Sequence, residues 1–211
     1  MTLTDSASKM VVRKVRSVRV LMKKGLLIII SGPSGVGKGT VRNYFMNEED
    51  LKLAYSISMT TRAPRENEKD GVDYIFTSKE DFEKAIHDGE LLEWAEFVGN
   101  YYGTPMSYVE KLRNEGKNVL LEIEVQGAMQ VSEKCPDALS IFIIPPSMEE
   151  LEKRIRGRRT EPEEIVQQRL AKASKEMKMV NNYKYIVCND DPKLAADMIA
   201  TIIRRHMELD K

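Results

Sequence analysis

The chain has 211 residues, 42% of them hydrophobic and 31% charged, enough for one substantial core with room for an inserted subdomain. Lys and Arg total 33, as do Asp and Glu, so overall charge makes no case for a nucleic acid or an acidic membrane as partner. No apolar run reaches membrane-spanning length, and Cys135 and Cys188, the only cysteines, fit no CxxC or metal spacing, which suits a reduced, cytoplasmic protein.

Residues 1–24 carry Lys9, Arg13, Lys14, Arg16, Arg19, Lys23 and Lys24 against Asp5 alone. They read as a basic extension, disordered or a short surface helix, with an organelle transit peptide as the alternative. The folded domain is expected over 25–211. It opens with LLIIISGPSGVGKGT, in which an aliphatic strand (Leu26–Ile30) runs into a glycine-rich turn and then a helix over Val41–Met46. The spacing Gly32, four residues, Gly37-Lys38 fits a phosphate-binding loop. Glycines let several backbone N–H groups face one anion, the helix adds its positive end, and Lys38 supplies a mobile charge. Gly39 stands where the pattern has Ser or Thr, and the hydroxyl follows at Thr40.

Further strands are expected at Leu53–Met59, Asn118–Ile123, Leu139–Ile144 and Tyr185–Cys188. Helical spacing after Pro162 (Val166, Leu170, Ala173, Met177, Val180) predicts a long helix, and Leu194, Met198 and Ile202 predict the buried stripe of the last one. Alternating strands and helices argue for an α/β fold, a parallel sheet covered on both faces. Residues 58–105 break the rhythm with short strands around one helix (Lys79–His87), which suggests a small α+β insertion. The charged stretch 156–162 suggests a mobile lid.

Three clusters outside the loop carry chemistry. Arg62 and Arg65, on a segment stretched by Pro64, offer two guanidinium forks suited to phosphate, with Tyr74, Tyr101 and Tyr102 as hydroxyl donors. Taken alone, they fit a solvated basic loop as well. Glu93, between Leu92 and Trp94, is either a buried carboxylate needing donors, such as guanine's N1–H and 2-amino group, or a solvent-facing edge residue. Arg154, Arg156, Arg158, Arg159 and Arg169 straddle the expected lid, where arginines could stabilise a transferring phosphoryl group or simply face solvent.

With these segments in order, the chain resembles the guanylate kinase family of nucleoside-monophosphate kinases, in its bacterial form. The likeness rests on LLIIISGPSGVGKGT, YSISMTTRAPR, GVDYIF, LLEWAEFVGNYYGTP, LLEIEVQGA, IFIIPPS, RGRRTEPEEIVQQRL and VCNDD, from Leu26 to Asp191. SxSxTTRxPR together with GNYYGT separates it from kinases of other monophosphates. The resemblance implies a P-loop core (25–57 and 106–211), a GMP-binding insertion (58–105) and an ATP lid. ATP and GMP are the implied partners, with dGMP use and oligomeric state left open and neither nucleic acid nor membrane involved. It implies that Ser34, Gly35, Val36, Gly37, Lys38, Gly39 and Thr40 cradle the ATP phosphates and that Asn189 lies near the adenine. Arg62, Arg65, Tyr74 and Tyr102 would hold the GMP phosphate, and Ser58, Glu93 and Thr104 would read guanine. Arg154, Arg158 and Arg169 would clamp the transferring group. Mg²⁺ would be held mainly by ATP phosphates and waters near Thr40 and Glu122. Glu122 and Glu124, implied as GMP-binding and near the metal, stand where many relatives have Asp in one or both places, and Arg159 replaces a usual glycine. The intact Lys38 argues against a catalytically silent interaction module.

Overall fold

Strand β1 (Leu27–Ser31) is buried at every residue, as a run of five apolar and small side chains must be when layers cover both faces of a sheet. The computed structural model describes residues 23–97, 99–157 and 162–209. Residues 1–22 of the basic extension and 158–161 of the expected lid fall outside them. Lys24 pairs with Glu110 at 2.5 Å.

Around β1 the chain builds a parallel sheet with β2 (Leu53–Tyr55), β7 (Asn118–Glu122), β8 (Leu139–Ile144) and β9 (Tyr185–Cys188), in the order β2-β7-β1-β8-β9. One face packs Ile28 and Ile30 against α1 (Lys38–Phe45), α5 (Met148–Arg156), α6 (Glu163–Met177) and α7 (Pro192–Leu209). The other packs Leu27 and Ile29 against α3 (Met106–Asn114) and α4 (Val125–Lys134). The path from β7 to β8 crosses β1, so strand order reverses at the carboxyl end of β1. That is where open α/β sheets form their ligand crevice.

A second sheet, β4-β3-β6-β5, uses β3 (Met59–Thr60), β4 (Ile75–Phe76), β5 (Leu91–Phe97) and β6 (Asn100–Pro105). Helix α2 (Lys79–His87), capped by Ser78 Oγ accepting from the Asp81 N–H, buries Phe82 and Ala85 against Leu91. Leu92, the next residue of β5, belongs instead to the core of the main sheet. Gln130 of α4 brackets Trp94 of β5, accepting from its N–H (3.1 Å) and donating to its carbonyl (3.0 Å). Lys134 Nζ donates to the Leu91 carbonyl at 2.7 Å. These contacts fix one edge of the second sheet to the main core.

Several sequence expectations change. Helix α6 ends at Met177, and Val180 stands in a separate short turn. Leu53–Met59 is not one strand. β2 pairs with β7, Ser56 N–H still reaches the Leu120 carbonyl, and the Ser58 carbonyl already accepts from Ile75 in the other sheet. A run that changes partners has the same composition as one that does not. The stripe of α7 is also displaced: Leu194 is 60% exposed and Met198 46%, while Ala195, Ala196, Ile199, Ala200 and Ile203 are buried. The small alanines let α7 lie close to the sheet, and a reading that weights only large residues selects the wrong face.

Asn118 joins three segments at the start of β7. Its Oδ1 accepts the Leu26 N–H (2.8 Å) and its Nδ2 donates to the Leu51 carbonyl (2.7 Å), both away from solvent. Asn118→Ala strands both groups and should lower unfolding free energy by about 2 kcal/mol or more, since each orphaned buried group costs about 1–3 kcal/mol. Urea titration of the two proteins checks this.

Candidate active site

The turn after β1 brings its backbone toward a common centre. Gly32 passes under β8 so closely that a Cβ there would lie 2.3 Å from the Ile143 carbonyl oxygen. Gly37, at φ 94°, caps α1 in a left-handed conformation, so the helix begins at Lys38, earlier than periodicity alone suggests. The amides of Lys38, Gly39 and Thr40 therefore belong to its first turn, which contains no acidic residue and presents unneutralised donors. Lys38 Nζ folds back onto the Gly32 (2.7 Å) and Pro33 (3.4 Å) carbonyls. Burial lowers its pKa, opposed by the charges of Glu122, Glu176 and Glu124.

Neighbouring elements hold this loop. Ser34 donates its N–H to Glu176 Oε2 (3.2 Å), and its Oγ accepts from Arg169 (3.1 Å), both residues of α6. Asn189 is almost wholly buried and gives Nδ2 to the Val36 carbonyl at 2.7 Å, bracing the loop from below. Arg154 donates to the Asn189 carbonyl (2.9 Å) and pairs with Glu150 (3.3 Å). Gly35 lies over Ile155 and Leu151 of α5. Arg158 and Arg159 lie outside the described residues. Arg156, at the end of α5, meets Glu163 at the start of α6, so the two ends of 157–162 are joined by an ion pair at 2.5 Å.

A second wall comes from the smaller sheet. Arg62 lies 5.3 Å from the Tyr74 ring centre, and Tyr74 meets Tyr102 edge-on at 6.2 Å. Arg62 Nη2 donates to both oxygens of Glu68 at 2.8 Å, and the Arg65 N–H donates to Glu68 Oε2 at 2.9 Å. The Arg65 side chain is exposed, and Ser58, on the turn into β3, is half-buried. Glu93 resolves its ambiguity toward burial, at 7% exposed. Its register with Thr104 across β5 and β6 puts the Thr104 hydroxyl 2.6 Å from Glu93 Oε1. Oε2 lies against Gly127, where a Cβ would come within 2.6 Å, so no side chain fits there unless the carboxylate moves.

Between the walls, Glu122 closes β7 and pairs with Arg42 of α1 at 2.8 Å, its other oxygen facing Gly39. Thr40 is exposed beside it on the same helix turn. Glu124 immediately precedes α4 as its N-cap residue and pairs with Lys172 of α6 at 2.8 Å. Among the described residues no three carboxylates, histidines or cysteines cluster as a self-sufficient metal site. The residues at hand, one hydroxyl and one carboxylate beside a phosphate-type loop, match Mg²⁺, which keeps waters and substrate oxygens and takes few protein ligands.

Sequence reasoning missed Arg42, Glu68, Gly127, Lys172 and Glu176. Of these, Glu176 was within reach, because it falls on the Arg169 face of α6 at helical spacing. Glu68 lies in an evenly charged stretch that gives no signal.

A family model described as Guanylate kinase matches residues 24–206. A guanylate kinase of Bacillus anthracis is 56% identical over 181 residues, covering 86% of this chain and 88% of that protein. One from Bacillus subtilis (strain 168) is 50% identical over 192 residues, covering 90% and 94%. The crystal structure of guanylate kinase from Anaplasma phagocytophilum superposes with a TM-score of 0.66 at 35% identity, covering 88% of each chain.

Burial pushes the Glu93 carboxyl above its ordinary pKa, against the Thr104 hydrogen bond and the Lys134 charge, with Glu124 adding to the rise. A carboxyl raised on folding contributes stability that is full below its unfolded pKa, about 4.3, and is lost as pH rises through the folded value. Relative to Glu93→Gln, the natural protein should lose unfolding free energy across that window and level off above it. Urea titrations of both proteins from pH 4 to 8 measure the difference, and a flat difference would contradict the burial argument.

Proposed function

The chain belongs to the guanylate kinase family, and we propose that its two facing walls carry out ATP-dependent phosphorylation of GMP to GDP by direct in-line transfer, with no covalent enzyme intermediate. The observation that carries the acceptor assignment is the buried Glu93 carboxylate, one oxygen bonded to Thr104 and the other against Gly127. Guanine presents two adjacent donors, N1–H and the 2-amino group, and a carboxylate offers two matching acceptors. Adenine presents an acceptor at N1 and no 2-amino group. Ser58 and Thr104 complete the base site in this reading, with Glu124 beside them.

The GMP phosphate would rest on Arg62, Arg65, Tyr74 and Tyr102, and the ATP phosphates on the loop amides from Ser34 to Thr40. Lys38, held by neutral loop carbonyls, can exchange them for the charged β- and γ-phosphate oxygens. Arg154, Arg158 and Arg169 would neutralise charge spreading over the transferred group. Thr40 and Glu122 would hold Mg²⁺, which supplies charge neutralisation across the β- and γ-phosphates when bound. The residues split into the segments 25–57 and 106–211, the insertion 58–105 and the lid at 156–162. Closing these over both nucleotides would bring the reacting oxygens into line and keep out water, which would otherwise accept the phosphoryl group. Neither a nucleic acid nor a membrane enters this reading, and a cytoplasmic location suits its substrates.

Lys38→Met should cut kcat by a few hundredfold while GMP binding stays near normal, since one preorganised charge at a transferring group contributes roughly 2.7–4 kcal/mol. Steady-state kinetics and GMP calorimetry test the split, and near-normal turnover would exclude the assignment of the loop. Glu93→Gln should lower kcat/KM for GMP at least tenfold, the equivalent of a charge-assisted bond of about 1.5–3 kcal/mol, while AMP stays poor. A GMP efficiency within about twofold of the natural protein would remove Glu93 from base reading.

A further inference from the structure

The loop 62–68 is closed by one carboxylate. Glu68 accepts from Arg62 Nη2 at both oxygens and from the Arg65 N–H at Oε2, while its own N–H donates to the Arg65 carbonyl at 3.0 Å. Both side chains of the Arg62–Glu68 pair are 18% exposed, so the pair is partly buried, more so than most ion pairs among the described residues. The guanidinium is fixed further by the Ala63 carbonyl (2.7 Å to Nη1) and by the rings of Tyr74 and Phe76. Arginine has five N–H donors. The bonds to Glu68 and Ala63 occupy at most three and Tyr102 is a further partner, which leaves at least one for an incoming anion. The contacts from the Arg65 N–H and from Arg62 lower the pKa of the Glu68 carboxyl.

We propose that Glu68 is the positioning residue of the acceptor-phosphate site, clamping Arg62 and the backbone of Arg65 in the geometry that receives the phosphate. This rests on the reading that Arg62 and Arg65 bind the GMP phosphate. A free arginine samples many rotamers, and a phosphate that had to order Arg62 would lose affinity. Glu68 orders the Arg62 side chain and the Arg65 backbone before the substrate arrives. Its charge is neutralised by Arg62, so little repulsion is left to oppose the dianion.

The test compares the natural protein with Glu68→Ala, Glu68→Gln and Arg62→Ala, measuring KM for GMP, KM for ATP, kcat, and inhibition by guanosine, which lacks the phosphate. Glu68→Ala should raise KM for GMP about fivefold, as expected from the cost of ordering one long side chain at binding. KM for ATP and inhibition by guanosine should stay within twofold. Glu68→Gln should fall between the two, because its amide oxygen still accepts from Arg62. A KM for GMP that is unchanged or lower in Glu68→Ala, with a large rise in Arg62→Ala, would overturn the role of Glu68. So would an equal loss of guanosine inhibition, which would mark a collapsed subdomain, or a Gln variant no better than Ala. An Arg62→Ala protein with normal KM for GMP would instead overturn the acceptor-phosphate reading itself.

Discussion

A site that receives two polyanions must hold several cations while it is empty, and bare cations packed together repel and resist desolvation. Most of the cations described around this cleft have a local partner. Lys38 lies on loop carbonyls, Arg42 on Glu122, Arg62 on Glu68, Arg154 on Glu150 and Lys172 on Glu124. Arg169 reaches the Ser34 hydroxyl. These partners differ in strength, and the differences sort the residues. Carbonyl oxygens release an ammonium readily, whereas a carboxylate that grips Nη2 with both oxygens does not. Lys38 is therefore built to move and Arg62 to stay.

The two walls are independent in their hydrogen-bond ladders but not in their cores. Leu91 packs under α2 in the small subdomain, and Leu92 packs into the main core. Strand alternation alone puts Leu91 and Leu92 on opposite faces, and the irregularity of β5 between Leu91 and Glu93 lets Glu93 follow Leu92 inward against Gly127. The candidate base-reading carboxylate thus stands at the seam between the subdomain and the main core. Its burial is a product of that seam rather than of either core alone.

Much of this was readable from the chain. The phosphate loop announces itself because glycine spacing and a lysine have few other uses in that order, and the β1, β7, β8 and β9 segments are apolar runs of strand length. Residues 53–59 misled because hydrophobic periodicity does not name the strand a residue pairs with. The α7 stripe misled because alanines make the close contact while Leu194 and Met198 face outward. Glu93 stood open between two readings until its neighbours across β6 and α4 were known. Glu68 was invisible for another reason: in a stretch such as RENEKD, only the folded loop says which carboxylate turns inward.

The bracket that Gln130 places on Trp94 has a further consequence. β5 is an outer strand of the second sheet, and an outer strand seven residues long exposes main-chain donors and acceptors to any extended peptide nearby. Gln130 takes up both groups of Trp94 with one primary amide, as a neighbouring strand would. Lys134 takes the Leu91 carbonyl, and its charge is one that a second sheet cannot bury cheaply. Helix α4 therefore also guards against edge-to-edge aggregation, closing a boundary that would otherwise remain adhesive.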